Sequence, residues 1–138
     1  LDFLIVDMPP GTGDTQLTFA QEINMYWVII ISTPQEIALQ DVKRGIRMFD
    51  KLKVKILGLI DNMSHFVGDD GKKYAIFGEG GVKKTAEEFK KDFMGEIPID
   101  PEVGKQGDLG SPIVESKPDH EISKIYFKFA EKIKSIYL

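Results

Sequence analysis

An aspartate that ends an apolar run, as Asp7 ends Phe3-Leu4-Ile5-Val6, puts a carboxylate at a strand tip, where it can hold Mg2+ and its waters beside a triphosphate. Mg2+ takes oxygen ligands and keeps several waters, so one carboxylate is enough. An aspartate there can also simply cap the turn after a strand, and the strand pattern alone does not separate the two. The residues that follow favour the metal. Pro9-Pro10 stiffens the exit, while Gly11 and Gly13 leave backbone N–H groups free to approach an anion closely. A loop of this kind bonds to the terminal phosphate of a nucleotide and lets go after hydrolysis. Asp7 and Gly11 are therefore the expected catalytic residues, one for Mg2+ through water and one for phosphate.

Four short apolar runs read as the strands that position these groups: Phe3 to Val6, Trp27 to Ile31, Val54 to Ile60 and a weaker Met94 to Ile97. Near-continuous Val, Ile and Leu without polar alternation is what a strand covered on both faces requires. Between them lie helical patterns. Asp14 can cap a helix running to about Ile23, with Leu17 and Ala20 on one side. From Gln35 to Lys53 the apolar residues Ala38, Val42, Ile46, Phe49 and Leu52 recur at helical spacing. Val82 to Phe89 and Glu121 to Tyr137 follow, the last with Ile122, Ile125, Phe129, Ile133 and Ile136 along one stripe.

Strands alternating with helices of this length predict an α/β fold, a doubly wound parallel sheet with helices on both faces, as a single domain over 1–138. Ligands of such sheets bind beyond the carboxyl ends of the strands. Asp7, Thr33 and Asn62 should then share one rim. Gly68 to Lys73, rich in Asp, Gly and Lys, reads as a mobile loop. Trp27 and the Phe residues fit strand or helix periodicity and read as core. His120, beside Asp119 at the start of the last helix, reads as a surface or capping residue.

LIVDMPPGTGD at 4–14, STPQEIALQDVKRGIRMF at 32–49, LGLIDNMSHF at 57–66, IFGEGG at 76–81 and GEIPIDPEV at 95–103 together resemble successive blocks of the Mrp/Nbp35 (ApbC-like) ATP-binding proteins. These are MinD-related P-loop NTPases that carry iron-sulfur clusters. The resemblance covers nearly the whole chain in order. It implies that Asp7 is the Walker B-type aspartate, that Gly11 and its neighbours form the second switch, and that Asn62 reads the adenine edge. An amide that donates and accepts at once suits that role. Pro98 and Asp100, after the fourth strand, are implied to lie near the base as well. The implied cofactors are ATP and Mg2+, with an iron-sulfur cluster by resemblance only. The implied partners are a second copy of the chain in a homodimer and apoproteins that accept clusters.

Two departures qualify that picture. The phosphate-cradling GKGGVGKS/T loop is not among these residues, and the chain opens at Leu1 inside a strand-like run, so an upstream portion is expected to supply it. Alone, the chain should bind ATP weakly. The second departure is that many family members carry Cys-x-x-Cys between the NMS block and IFGEGG, whereas this interval reads HFVGDDGKKYA and the chain has no cysteine. No iron-sulfur ligand is therefore assigned. His65, Asp69 and Asp70 could ligate a hard or borderline metal, but on a Gly-rich loop they read first as a solvated hairpin turn.

Composition narrows the partners. Eighteen basic against 22 acidic side chains, unsegregated, give a net charge of -4, which favours neither nucleic acid nor an anionic membrane. No apolar run approaches the roughly 20 residues needed to span a bilayer, and no signal peptide opens the chain, so a cytoplasmic location is expected. A MinD/ParA-like positioning ATPase is the rival reading, since Lys124, Lys128, Lys132 and Lys134 lie opposite the stripe of the last helix. A non-catalytic scaffold that has lost cluster binding is the third.

Overall fold

The computed structural model describes residues 1–137. The elements in chain order are α1 (Asp14–Glu22), β1 (Trp27–Ser32), α2 (Glu36–Lys51), β2 (Lys55–Val67), β3 (Lys73–Tyr74), α3 (Gly81–Glu88), β4 (Phe93–Ile99), α4 (Pro101–Asp108), α5 (Ile113–Ser116) and α6 (Glu121–Tyr137). β2 is central: β1 and β4 lie parallel on its two sides, and β3 pairs antiparallel with its far end. The fold is α/β, its parallel strands joined through helices.

Both faces of the sheet are covered, which explains why apolar residues of the strands do not alternate regularly with polar ones. On one face Leu39, Val42 and Ile46 of α2 and Val82 and Ala86 of α3 pack on Leu59 of β2. On the other, Ile113 of α5 with Ile122 and Phe129 of α6 pack on Ile60 and Ile97. Ala20 of α1 joins Val28 and Phe49 in a smaller cluster. Two glycines permit close approach at β4. A Cβ on Gly58 would stand 2.9 Å from the Asp92 carbonyl, and one on Gly95 would stand 3.0 Å from the Phe129 ring.

The first predicted strand does not form. Residues 1–9 adopt no regular structure, and Leu4 and Ile5 are each 77% exposed. An apolar run becomes a strand only where a ladder partner receives its N–H and C=O groups. Among the described residues β1 pairs only with β2, and Phe3 to Val6 does not pair with its other edge. Helix α1 is corrected too. Gly13, not Asp14, holds the N-cap position without a side-chain cap, and Asp14 is the first helical residue, where its charge still suits the helix N-terminus.

The segment expected to be a mobile loop is the turn of a hairpin. Phe66 faces Tyr74 and Val67 faces Lys73 across it. Asp70 accepts from the Lys72 backbone N–H at 3.0 Å and from the Tyr74 hydroxyl at 2.7 Å. Those bonds hold the Asp70 carboxyl below its ordinary pKa and the Tyr74 phenol above its own. Among the described residues no helix is long and apolar enough to cross a membrane.

Candidate functional site

The loop after Val6 is held from α1 and rests on α2. Gln16, on the first turn of α1, donates from Nε2 to the carbonyls of Pro9 at 2.6 Å and Pro10 at 2.8 Å. Thr12 lies against Gly45 of α2, its methyl 3.8 Å from where a Cβ would stand. Gly11 has φ +98°, a left-handed conformation that glycine adopts without strain, and nothing lies within 4 Å of its missing Cβ. Asp7 is exposed just ahead of this turn. Gln16 was not singled out from the sequence. Its signal is its place as third residue of a helix, from which a Gln side chain reaches back over the preceding turn.

Asn62, Pro98 and Asp100 come together. They line one pocket of about 260 Å3 with Met63, Val103 and Tyr126, built from the middle of β2, the end of β4, the start of α4 and one turn of α6, so Asn62 lies within its strand and not at the end expected for it. Parallel pairing sets Asn62 level with Ile97, one residue before Pro98. Met63, at φ +54°, then interrupts the ladder, which resumes between Phe66 and Ile99. No residue of the 1–14 segment lines this pocket, so Asp7 and Gly11 are not among the residues brought together with Asn62 there.

A larger cavity, about 400 Å3, lies at the opposite end of the sheet among Asp50, Lys55, Lys91 and Asp92. It opens at the amino ends of β2 and β4, where ligands of parallel sheets do not bind. Lys91 and Asp50 already pair across it at 2.6 Å.

Asp100 starts α4. Its Oδ1 accepts from the Glu102 backbone N–H at 2.8 Å, and Pro101 follows in the first turn, where a missing N–H costs nothing. Its Oδ2 lies 3.6 Å from Nε2 of His120. His120 in turn accepts at Nδ1 from the Ile122 backbone N–H at 3.2 Å, which makes it the cap of α6. Glu102 fastens the same region, reaching Lys117 at 2.8 Å and accepting from Gln106 at 2.7 Å, and the lysine contact pulls its pKa down to about 2.

Behind Asn62, facing α2 and α3, sits a group the sequence reading passed over. Asp61 is 2% exposed, and its Oδ1 has no hydrogen-bond partner. Burial, helped by the charge of Glu96 on β4, pushes its carboxyl up to about 6. His65 lies 3.8 Å from Glu96 and 3.0 Å from the Ser64 hydroxyl. Among the described residues no group of three or more His, Cys, Asp or Glu side chains is placed to hold a metal ion, so His65, Asp69 and Asp70 do not converge.

A family profile described as ParA, NUBPL iron-transfer P-loop NTPase, matches residues 1–134. The chain belongs to this family. An iron-sulfur cluster carrier protein of Aquifex aeolicus is 43% identical over 137 residues, which are 99% of this chain and 38% of that protein. An Arabidopsis thaliana iron-sulfur protein required for NADH dehydrogenase, mitochondrial, is 44% identical over 134 residues, 96% of this chain and 43% of its own. The chain thus spans well under half the length of these curated relatives. Among solved structures, a nucleotide-binding protein of Archaeoglobus fulgidus in complex with ADP is similar at TM-score 0.71 and 40% identity, over 80% of this chain and 46% of that one. The cell division ATPase MinD of Pyrococcus furiosus shares the fold at TM-score 0.62 and 21% identity, over 80% of this chain and 43% of its own. The family assignment agrees with the resemblance carried by the five sequence blocks.

Proposed function

We infer that this chain supplies the base pocket and the metal-and-switch loop of an ATP-binding, ATP-hydrolysing protein that works as a homodimer in iron-sulfur cluster assembly or transfer. The observation that carries this reading is the convergence of Asn62, Pro98 and Asp100 on one pocket at the carboxyl end of β4, just past the last residue of β2 that pairs with β1. The ADP bound by the Archaeoglobus protein and the carrier names of the curated relatives support it. A cytoplasmic location and transfer to apoprotein acceptors go with the same reading.

Asp7 offers one exposed carboxylate, a hard oxygen donor of the kind Mg2+ accepts while keeping its waters. Bound there, the ion would neutralise charge developing on the transferred phosphoryl group. The backbone N–H groups around Gly11 would donate to the terminal phosphate, and Gln16 fixes the carbonyls of Pro9 and Pro10 so that the turn keeps its shape. Asn62 would hold the base by its amide. The cluster is cargo in this scheme, and with no cysteine in the chain its thiolate ligands come from elsewhere.

Two substitutions in the full-length protein test the assignment. Asp7→Asn is expected to cut phosphate release by at least roughly a hundredfold while ADP affinity, read by calorimetry, stays within a few-fold. Asn62→Ala is expected to do the reverse, weakening ADP and adenosine roughly tenfold. Wild-type hydrolysis by Asp7→Asn, or unchanged adenosine binding by Asn62→Ala, refutes the corresponding half of the site.

A further inference from the structure

The pocket around Asn62 has an aromatic side chain that no strand supplies. Tyr126 stands four residues after Ile122 and three before Phe129, so it leaves α6 on the side that these two buried residues press against the sheet. Phe129 is fixed against β4, its ring 3.0 Å from the Cβ position of Gly95. One turn nearer the start of α6, Tyr126 reaches the carboxyl end of β4 and lines the pocket with Pro98 and Val103. It nevertheless remains 39% exposed, because it borders a cavity rather than packed side chains.

The polar groups nearby are already engaged. Asp100 gives one oxygen to the cap of α4 and turns the other towards His120, whose second ring nitrogen caps α6. Asp100 is thereby a link between the two helices that wall the pocket, and it has little left to offer a ligand. At about 260 Å3 the pocket falls just below the roughly 300–1,000 Å3 range of sites that enclose a whole small molecule. It suits one planar ring. An aromatic ring and an amide in the lining of one pocket favour a nucleobase, which stacks by its face and hydrogen-bonds by its edge.

We propose that Tyr126 is the stacking wall of the base pocket, and that Asp100 serves as a positioning residue, joining α4 to α6 through His120 instead of reading the base. The proposal rests on the nucleotide reading above and adds to it which residues touch the base. The probe is adenosine, which carries the base without phosphates and so reports this pocket independently of the phosphate loop. In the full-length protein, NMR titration with adenosine is expected to shift both the Asn62 side-chain amide and the Tyr126 ring protons. Tyr126→Leu is expected to weaken adenosine roughly tenfold, whereas Tyr126→Phe, which keeps the ring, stays within about twofold. His120→Asn retains a cap for α6 but removes the contact with Asp100, and it should lower affinity with the fold intact.

A shift at Asn62 with none at Tyr126, or wild-type affinity in Tyr126→Leu, overturns the stacking role and leaves the nucleotide reading standing. Wild-type affinity in His120→Asn overturns the positioning role. Silence at both resonances removes the base pocket and this proposal with it. The wild-type ring signal decides the matter even if the leucine variant does not fold.

Discussion

Leu59→Ala is expected to destabilise the fold by about 3–5 kcal/mol, read as a lower midpoint in urea unfolding with an unchanged slope. Leu59 has no solvent exposure and lies on the central strand, beneath α2 and α3, among Leu39, Val42, Ile46, Val82 and Ala86. Removing three carbons leaves a cavity that neither helix can collapse into. α2 is held to α3 by the Lys43–Glu88 contact at 2.9 Å, and the backbone N–H of Leu59 is itself bonded to the Asp92 carbonyl at 2.8 Å. A cost below about 1.5 kcal/mol would mean that this face is not the packed centre of the fold.

Two residues along the same face of β2, Asp61 gives the second large effect, and it depends on pH. Its folded carboxyl titrates at about 6 against an ordinary 3.8. The folded state therefore holds this proton more tightly than the unfolded chain does. Stability from that preference is complete below about pH 3.8 and is lost as pH rises through about 6. The difference converts to about 3 kcal/mol on the alkaline side. Asp61→Asn, which is neutral at every pH, should be more stable than wild type by up to that amount at pH 8 and similar to it at pH 4. Glu96→Gln should recover a smaller part, since burial is the larger cause and Glu96 the lesser. Parallel stability-versus-pH curves for wild type and Asp61→Asn would eliminate the buried ionisation. Glu102 acts in a different window, because its lowered pKa contributes stability above about 4.5 that is lost as pH falls through about 2.

The sheet was legible where strands are covered on both faces. Trp27 to Ile31, Val54 to Ile60 and Met94 to Ile97 mark parallel strands because their apolar residues do not alternate with polar ones, Lys55 and Glu96 being the exceptions, and the structure carries each run further at its carboxyl end, by one residue in β1, seven in β2 and two in β4. Phe3 to Val6 carries the same signal and forms no strand. Hydrophobicity records a demand for burial, whereas a ladder needs a neighbour that the run itself does not specify. The helix from Pro101 was missed although its signal was present: Asp100 caps, Pro101 follows, and Glu102 sits in the first turn.

The site divides in the same way. Asn62, Pro98 and Asp100 could be named because they fall in recognisable blocks, Asn62 just after the apolar run Val54 to Ile60, and the pairing of Asn62 with Ile97 then brings β2 and β4 into register there. Asp61 was hidden beside Asn62. Only the continuation of β2 past the Met63 irregularity to Val67 makes it strand interior instead of strand end, and nothing in LIDNMS announces that. Tyr126 was hidden differently. It falls on the apolar stripe of α6, but a stripe tells which side of a helix turns inward, not which turn overhangs an opening.

The exposed start of the chain has a colloidal consequence. Phe3 to Val6 presents Leu4, Ile5 and Val6 to solvent with no proline among them, and β1 leaves one edge unpaired among the described residues. A short, uncharged, strand-prone run beside an open ladder is a template for pairing between molecules. Asp2 and Asp7, which bracket the run, are its only charges. Left exposed, Leu4 to Val6 is expected to promote association of this chain with itself as its concentration rises.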